Sequence, residues 1–145
     1  MKFNYVKLPL KLEHGPFRQT FIQLPLIQVY FQLKNGGRLQ YFCLVDSGSD
    51  YCFFSNEVAK NLNLDLARAK QVEARGVTGH IFKAYFLPVT FTVGGWDCTV
   101  NAGFSSDLGT PYGILGRQGF FESFRVCIDE KLKEIELKQR WESDS

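Results

Sequence analysis

A predicted strand that ends in a carboxylate and a tight turn constrains this chain more than any other feature. Residues 39–45 alternate between two faces and run directly into Asp46, Ser47 and Gly48. A carboxylate at the end of a buried strand costs free energy unless it is hydrogen-bonded, paired or used in a reaction. The glycine allows a close backbone turn, and the serine hydroxyl can bind neighbouring backbone groups. We therefore expect Asp46 to be a catalytic group around which the fold is arranged.

Strand patterns before this turn predict a β-hairpin. Residues 27–33 alternate as one strand, and the Asn-Gly pair at 35–36 is a strong signal for a hairpin that returns through 39–45. On the returning strand, the period of two places Leu44 on the same face as Asp46. The hairpin therefore delivers Asp46 as the last member of one strand face.

The rest of the chain is expected to contain short strands and little helix. A second hairpin turns at residues 94–95, and Ser55 is expected to cap a short helix over 56–62. A second short helix is expected over 118–124, and the glycine- and proline-containing stretch 101–112 is expected to be irregular. The class predicted is all-β. Further short strands are predicted at residues 51–54, 71–75, 81–86 and 114–115, with a terminal hairpin over 126–137.

Composition and charge narrow the class of protein. The chain has 145 residues, enough for one domain with a sizeable core, and its 45% apolar and 22% charged residues are ordinary for globular proteins. Seventeen basic and fifteen acidic residues leave a formal charge of +2, and Lys and Arg form no cluster, so nucleic acid is not an expected partner. No apolar run approaches the roughly 20 residues that cross a bilayer, and the N-terminus lacks the apolar core of a secretory signal. We expect a cytoplasmic protein with no membrane partner.

The cysteines and histidines do not form a recognisable metal-binding pattern. No cysteine pair has Cys-x-x-Cys spacing, and His14 and His80 are the two histidines of the chain. Three cysteines lie in apolar strand-like runs, where the thiol behaves as a small hydrophobic group. We expect reduced, buried thiols and no metal or organic cofactor, and we assign His80 no role. The cysteines are Cys43, Cys52, Cys98 and Cys127.

Two short blocks carry a resemblance to a known family. The run 45–48, Val-Asp-Ser-Gly, resembles the Asp-Thr/Ser-Gly signature of aspartic proteases. The run 113–117, Gly-Ile-Leu-Gly-Arg, is similar to the apolar-apolar-Gly-Arg block near the C-terminus of retroviral-type proteases. Asp-Ser-Gly alone is an ordinary turn sequence, but both blocks in this order, each after apolar strand residues, are fairly specific. The resemblance covers residues 26–121.

This resemblance implies a fold and a domain organisation. It implies a single-domain, retropepsin-like acid-protease barrel that is closed, carries one or two short helices and forms a C2 homodimer. The domain is expected over residues 26–138. Residues 1–25 form an N-terminal extension, expected to be an edge strand or a dimer contact, and 139–145 form a C-terminal tail.

The resemblance also implies roles for the active-site turn. Asp46 is the catalytic carboxylate, Ser47 belongs to the hydroxyl pair that links two such turns, and Gly48 presents its carbonyl to substrate backbone. A plain turn would account equally for Ser47 and Gly48. Ser49 and Asp50 are expected to contact substrate as well.

A charged pair is implied between the two blocks. Asp50 and Arg117 fall on matching family positions, where a bidentate bridge fixes the active-site loop against the late helix. The alternative is a pair of solvated charges, which would contribute under about 1 kcal/mol to stability. The family position favours the pair.

The loop 76–79 is either a flap or an ordinary surface hairpin. Two glycines bracket a small loop between predicted strands, and in the family this position is a hairpin that closes over the bound substrate. The sequence itself allows both alternatives. As a flap, the loop would bind substrate through Gly76, Val77 and Thr78.

A single active-site turn predicts a dimer. Two carboxylates close together cannot both ionise, so the pair of an aspartic protease shares a proton. The chain holds one Asp-Ser-Gly, and the run 106–109, Ser-Asp-Leu-Gly, lacks the tight turn. The second Asp46 must then come from a second subunit.

The expected function is that of an aspartic endopeptidase, with a peptide or protein as substrate and a homodimer as the active form. A water activated by the two Asp46 carboxylates would hydrolyse the peptide bond. The alternative is a catalytically silent module of the same fold that binds peptide or only dimerises. A monomer that dimerises on demand would show activity that depends on protein concentration.

Overall fold

The computed structural model describes residues 1–10, 20–76 and 78–140. Within these ranges the chain forms twelve strands and a few short helical segments, which confirms the predicted mostly-β class. Helix α1 spans Asn56–Asn61, and shorter helical turns cover Leu66–Arg68 and Arg117–Phe121. The strands are β1 Lys2–Asn4, β2 Val6–Pro9, β3 Phe21–Leu24, β4 Leu26–Gln32, β5 Arg38–Val45, β6 Phe53–Ser55, β7 Lys70–Arg75, β8 Ile81–Val93, β9 Trp96–Ser105, β10 Gly113–Leu115, β11 Phe124–Asp129 and β12 Glu134–Gln139.

One sheet closes on itself and forms a barrel. Its strands follow the order β4, β5, β10, β6, β9, β8, and β8 returns to β4 where Thr92 pairs with Tyr30. β10 runs parallel to β5, with Ile114 opposite Leu44, so a late part of the chain lies beside the strand that precedes Asp46. β7 pairs with β8 as an outer strand. The predicted closed barrel is thereby confirmed.

Aromatic and branched side chains fill the barrel. Phe54 of β6 is fully buried, and its ring centroid lies 5.1 Å from that of Phe31 and 5.7 Å from that of Phe91, edge to face. Each such aromatic pair contributes about 0.5–1.5 kcal/mol beyond the buried area itself. Ile27 and Val29 point inward with Phe31, as the alternation of residues 27–33 predicts.

Both predicted glycine turns form hairpins. Gly36 adopts a φ of 90°, a conformation that favours glycine, and the Gly37 N–H donates to Asn35 Oδ1 at 2.9 Å. Gly94 and Gly95 also have positive φ where β8 turns into β9. The terminal hairpin predicted over 126–137 is present as β11 and β12.

Residues 106–112 are irregular, as predicted, but the structure differs from the sequence prediction over residues 101–105. This stretch was expected to be irregular, but β9 continues to Ser105. Gly103 allows this continuation, because a Cβ there would lie only 2.8 Å from the ring of Phe53 and 3.0 Å from that of Phe86. The rings of Phe53 and Phe86 therefore pack against β9 at Gly103, a residue type that usually interrupts a strand.

The two predicted helical segments occur at the expected places but with errors of detail, and the helical turn at Leu66–Arg68 was not predicted. Ser55 precedes α1 as expected, yet its side chain makes no capping hydrogen bond. The helix predicted over 118–124 is a shorter irregular turn, with extended backbone at Gln118 and a φ of 96° at Gly119. None of the helices in the described ranges is long and apolar enough to cross a membrane.

The chain termini form two further β units. β1 pairs with β12, which pairs with β11, so β1 is the edge strand of a three-stranded sheet. Tyr5 follows β1, and its hydroxyl donates to Glu130 Oε2 at 2.9 Å; burial, with this carboxylate, raises the pKa of Tyr5 to about 12. β2 and β3 pair only with each other among the described residues. The parts of the predicted extension and tail at 11–19 and 141–145 lie outside the described residues.

Truncation of the central ring tests this core. We expect Phe54→Ala to lower the free energy of unfolding by about 3–5 kcal/mol, because it removes a buried ring and leaves a cavity. Trp96→Ala is the matched control, since Trp96 is 42% exposed, and a surface change of this kind shifts stability by about 0.5 kcal/mol. Urea denaturation measures both. Equal losses would contradict the described core.

Candidate active site

Asp46 immediately follows β5 and begins the turn. Its N–H donates to the carbonyl of Leu115 in β10 at 3.0 Å, and its own carbonyl accepts the Ser49 N–H at 3.2 Å. The Gly48 N–H donates to Asp46 Oδ1 at 2.9 Å. The carboxylate is therefore oriented by the backbone of its own turn. The hydrogen bond from the Gly48 N–H offsets part of the free-energy cost of placing a charge at a strand end.

The two blocks singled out in the sequence meet in space. A Cβ at Gly116 would lie 2.1 Å from the Tyr51 carbonyl oxygen and 2.8 Å from that of Ser49, so the backbones touch. The next two N–H groups continue this contact: Arg117 donates to Ser49 O and Gln118 to Asp50 O, each at 2.9 Å. Glycine at 116 is thus required for the late block to dock on the Asp46 turn.

Arg117 holds the turn with a forked side chain. Its Nη2 contacts Asp50 Oδ1 as an ion pair, and its Nη1 donates to the carbonyl of Ser47 at 2.7 Å. The bidentate bridge expected from sequence is therefore divided between a carboxylate and a backbone carbonyl. The side chains of Arg117 and Asp50 are 51% and 64% exposed, so the pair contributes about 0–1 kcal/mol to folding. Its main effect is to position both ends of the turn.

A cavity of about 360 Å³ opens over the turn. Its walls are largely apolar, and Leu44 and Ile114 sit side by side on neighbouring strands next to Asp46. Phe53 and Phe82 form an aromatic wall, with ring centroids 5.5 Å apart. The lining residues are Leu44, Asp46, Gly48, Ser49, Phe53, Arg75, Gly76, Phe82, Leu108, Thr110, Tyr112 and Ile114.

The hairpin of β7 and the first part of β8 borders the same cavity. Its loop is closed by the Gly76 N–H, which donates to His80 O at 2.8 Å, and by the Gly79 N–H, which donates to Gly76 O at 3.0 Å. Gly76 and Phe82 line the cavity together with Asp46. The hairpin would therefore contact a molecule bound in the cavity through Gly76 and Phe82.

A family model described as "Aspartyl protease" matches residues 31–118. The chain belongs to the aspartyl protease family. Among solved structures, a retropepsin-like aspartic protease from Rickettsia conorii is similar, with a TM-score of 0.54, 20% sequence identity, and coverage of 76% of this chain and 86% of that chain. This likeness shows the retropepsin-like fold. A search of curated proteins finds no match.

Not every site residue predicted from the sequence lines the cavity. Asp46, Gly48, Ser49 and Gly76 do, whereas Ser47, Asp50 and Thr78 do not. Ser47 and Asp50 are instead tied to Arg117, and Thr78 is exposed at the hairpin tip. Val77 lies outside the described residues.

Sequence reasoning missed most of the cavity wall. Leu44 could have been found, because it shares a strand face with Asp46. Phe53 and Phe82 come from strands whose neighbours in the barrel are set by non-local pairing. The loop residues Leu108 and Thr110 carry no pattern that marks them.

The buried thiols near this site are not nucleophiles. The Gly116 N–H points at Cys52 Sγ at 3.4 Å, but burial dominates and raises the pKa of Cys52 to about 11. Burial also raises the pKa of Cys43 well above its ordinary value. Both groups therefore remain protonated thiols near neutral pH. All four cysteines are free in the described ranges, and Cys127, contrary to expectation, is exposed.

A methyl group at Gly116 tests the docking of the two blocks. We expect Gly116→Ala to lower the free energy of unfolding by about 3 kcal/mol, because the added carbon meets fixed backbone atoms rather than movable side chains. Gly76→Ala is the matched control, since its nearest atom would be 3.8 Å away. Thermal and urea unfolding measure both variants. A Gly116→Ala protein as stable as the parent would contradict this close contact.

Proposed function

We propose that this chain is an aspartic endopeptidase that hydrolyses peptide bonds as a homodimer, with one Asp46 carboxylate from each subunit. The position of Asp46 carries the proposal. It follows a barrel strand, is oriented by its own turn and faces a largely apolar cavity that the β7–β8 hairpin also lines. Membership of the aspartyl protease family supports peptide hydrolysis as the reaction class.

The need for a second copy follows from the carboxylates at the cavity. Among the described residues that line it, Asp46 carries the one carboxylate. Asp107 does not line the cavity, and its N–H is bonded to Ser105 Oγ at 3.0 Å, while Leu108 faces the cavity instead. A two-carboxylate reaction therefore needs a twofold partner. Ser47 is exposed beside Asp46, where we propose that its hydroxyl contacts the partner's turn.

The proposed reaction adds one water across the peptide bond. The two carboxylates share one proton, because like charges this close cannot both ionise. The ionised carboxylate takes a proton from water while the water oxygen attacks the carbonyl carbon of the peptide bond. The protonated carboxyl group donates its proton to the carbonyl oxygen. The tetrahedral intermediate then collapses: the pair donates a proton to the amine nitrogen and takes one from a hydroxyl of the intermediate, and the C–N bond breaks to give a carboxylic acid and an amine.

The proposed substrate is an extended peptide with apolar side chains beside the cleaved bond. Leu44, Phe53 and Phe82 provide apolar walls that accept such side chains without specific polar partners. Thr78 does not line the cavity, so contact from the hairpin tip requires the hairpin to close over the peptide. The proposed substrate-binding residues are Gly48, Ser49, Asp50, Gly76, Val77 and Thr78.

Replacement of the carboxylate tests the proposed reaction. We expect Asp46→Asn to lower peptide cleavage by at least roughly 10²–10⁴-fold, since the amide can neither take nor give the proton. Purified protein is incubated with a diverse peptide mixture, and the products are identified by mass spectrometry. The range from about pH 3.5 to 7.5 spans the charge states of a coupled carboxyl pair. Wild-type cleavage is expected between apolar residues.

Sedimentation of both proteins is the control for this experiment. Asparagine has nearly the shape of aspartate, so the variant should remain folded and dimeric. Cleavage that persists in Asp46→Asn would overturn the proposed catalytic role. A dimeric wild type that cleaves nothing across the pH range would favour a peptide-binding module.

Removal of the forked arginine tests the positioning of the turn. We expect Arg117→Ala to reduce kcat/KM by about 10- to 100-fold, because small displacements of reacting groups are costly, and to weaken the dimer. The exposed pair contributes little to folding, so the free energy of unfolding should change by about 1 kcal/mol or less. Arg68→Ala is the control, since Arg68 and Asp65 form an exposed ion pair, with side chains 86% and 61% exposed, away from the cavity. Unchanged activity and dimerisation in Arg117→Ala would rule this role out.

A further inference from the structure

A second cavity, of about 190 Å³, lies on the sheet formed by β7, β8 and β9. Cross-strand partners share a face, and Lys70 of β7, Phe86 of β8 and Gly103 of β9 stand opposite one another across these strands. The period of two places Phe82 on the same face of β8 as Phe86. The second cavity and the cavity over Asp46 therefore lie on one face of the sheet. The residues that line the second cavity are Tyr51, Lys70, Val72, Phe86 and Asn101.

Aromatic rings connect the two cavities. Phe53 lines the cavity over Asp46, and its ring centroid lies 5.9 Å from that of Phe86, which lines the second cavity. The ring centroid of Tyr51 lies 5.2 Å from that of Phe86. Gly103 makes room for this arrangement, because a Cβ there would lie only 2.8 Å from the Phe53 ring. An apolar surface therefore continues from one cavity to the other.

The two cavities are spaced like side chains of an extended peptide. Phe82 lines the first cavity and Phe86 the second, and both belong to β8. A strand rises about 3.3 Å per residue, so these two positions are about 13 Å apart. About four residues of an extended peptide cover the same distance, and side chains at even spacings point to the same side. A peptide that lies along β8 over Asp46 would therefore bring a side chain about four residues away to the second cavity.

The polar groups of the second cavity suit a carboxylate. Lys70 carries an ammonium group, Asn101 an amide and Tyr51 a hydroxyl, and each of these groups can donate a hydrogen bond. Among the described residues, Lys70 forms no salt bridge, and no Asp or Glu lines this cavity. Val72 and Phe86 add apolar surface against which the methylene groups of a glutamate can pack. Such a combination fits an acidic side chain.

We propose that the second cavity binds an acidic side chain of the substrate, about four residues from the cleaved bond, and that Lys70 selects for its charge. This inference rests on the proposed function, because the peptide must lie along the cavity over Asp46. Each subunit of the homodimer has one such cavity, so acidic positions lie on both sides of the cleaved bond. Apolar residues at the centre and a carboxylate at a distance from them then define the substrate class.

Peptides that differ in charge test this site. The first probe is an acetylated and amidated peptide with Glu about four residues from its central bond on each side, and the second has Gln at these positions. The centre is the sequence that the wild type cleaves best, or two phenylalanines if it cleaves none. Calorimetric titration measures binding to the full-chain Asp46→Asn protein, which leaves the peptide uncleaved. We expect the Glu peptide to bind at least about threefold more tightly, with a preference that decreases as salt is raised.

Charge substitutions on opposite faces of one hairpin form the matched pair, each made in the Asp46→Asn protein. Lys70→Gln is expected to bind the Glu and Gln peptides equally, and Lys70→Glu to favour a peptide with Lys at the same positions. Lys83→Gln is the control and is expected to keep the preference for Glu, because Lys83 is next to Phe82 in β8 and therefore lies on the other face. Both lysines are exposed, and thermal unfolding checks that each variant is folded.

The outcomes separate this site from the protease. The site is overturned if the Asp46→Asn protein binds neither peptide or both equally, if Lys70→Gln keeps the preference, or if Lys83→Gln also loses it. A Gln peptide with a free C-terminal carboxylate distinguishes a side chain from a chain end: binding that depends on Lys70 for this peptide alone would also overturn the site. Wild-type cleavage that Asp46→Asn abolishes would support the protease in every case. A Lys70-dependent preference in a protein that cleaves nothing would support the site within a peptide-binding module.

Discussion

The backbone contact between Gly116 and the turn at 49–51 is the constraint on which the site depends. It joins two stretches of chain separated by most of the barrel, and the hydrogen bonds from Arg117 N–H to Ser49 O and from Gln118 N–H to Asp50 O extend it. Because β10 ends at this contact, Ile114 is held beside Leu44 in the cavity wall. Without the contact, both the turn and one wall of the cavity would lose their position.

Local patterns were enough to predict much of the fold. The period of two in β4 and β5 determined which face of each strand is buried, and the glycine pairs at 36–37 and 94–95 marked the turns. Asp46 could be placed at a strand end for the same reason. These signals depend on residues next to each other in sequence, so they can be read without knowing which strands are neighbours in the barrel.

Non-local packing explains what the sequence could not provide. The continuation of β9 through Gly103 depends on rings from Phe53 and Phe86, which belong to other strands. The fork of Arg117 depends on the carbonyl of Ser47 lying within reach, a fact about turn geometry rather than residue type. The cavity wall at Leu108 likewise comes from a loop with no periodic pattern. In each case a partner far along the chain decides the outcome.

The hydrogen bond from the Gly48 N–H to Asp46 Oδ1 makes the two oxygens of this carboxylate chemically inequivalent. An oxygen that already accepts an N–H is a poorer place for a proton, since protonation would compete for its electron density. A proton on Asp46 is therefore favoured on Oδ2. In the proposed dyad, the shared proton would then be exchanged through Oδ2 of each subunit. The two subunits are symmetric, but the single proton would make their carboxyl groups differ at any moment.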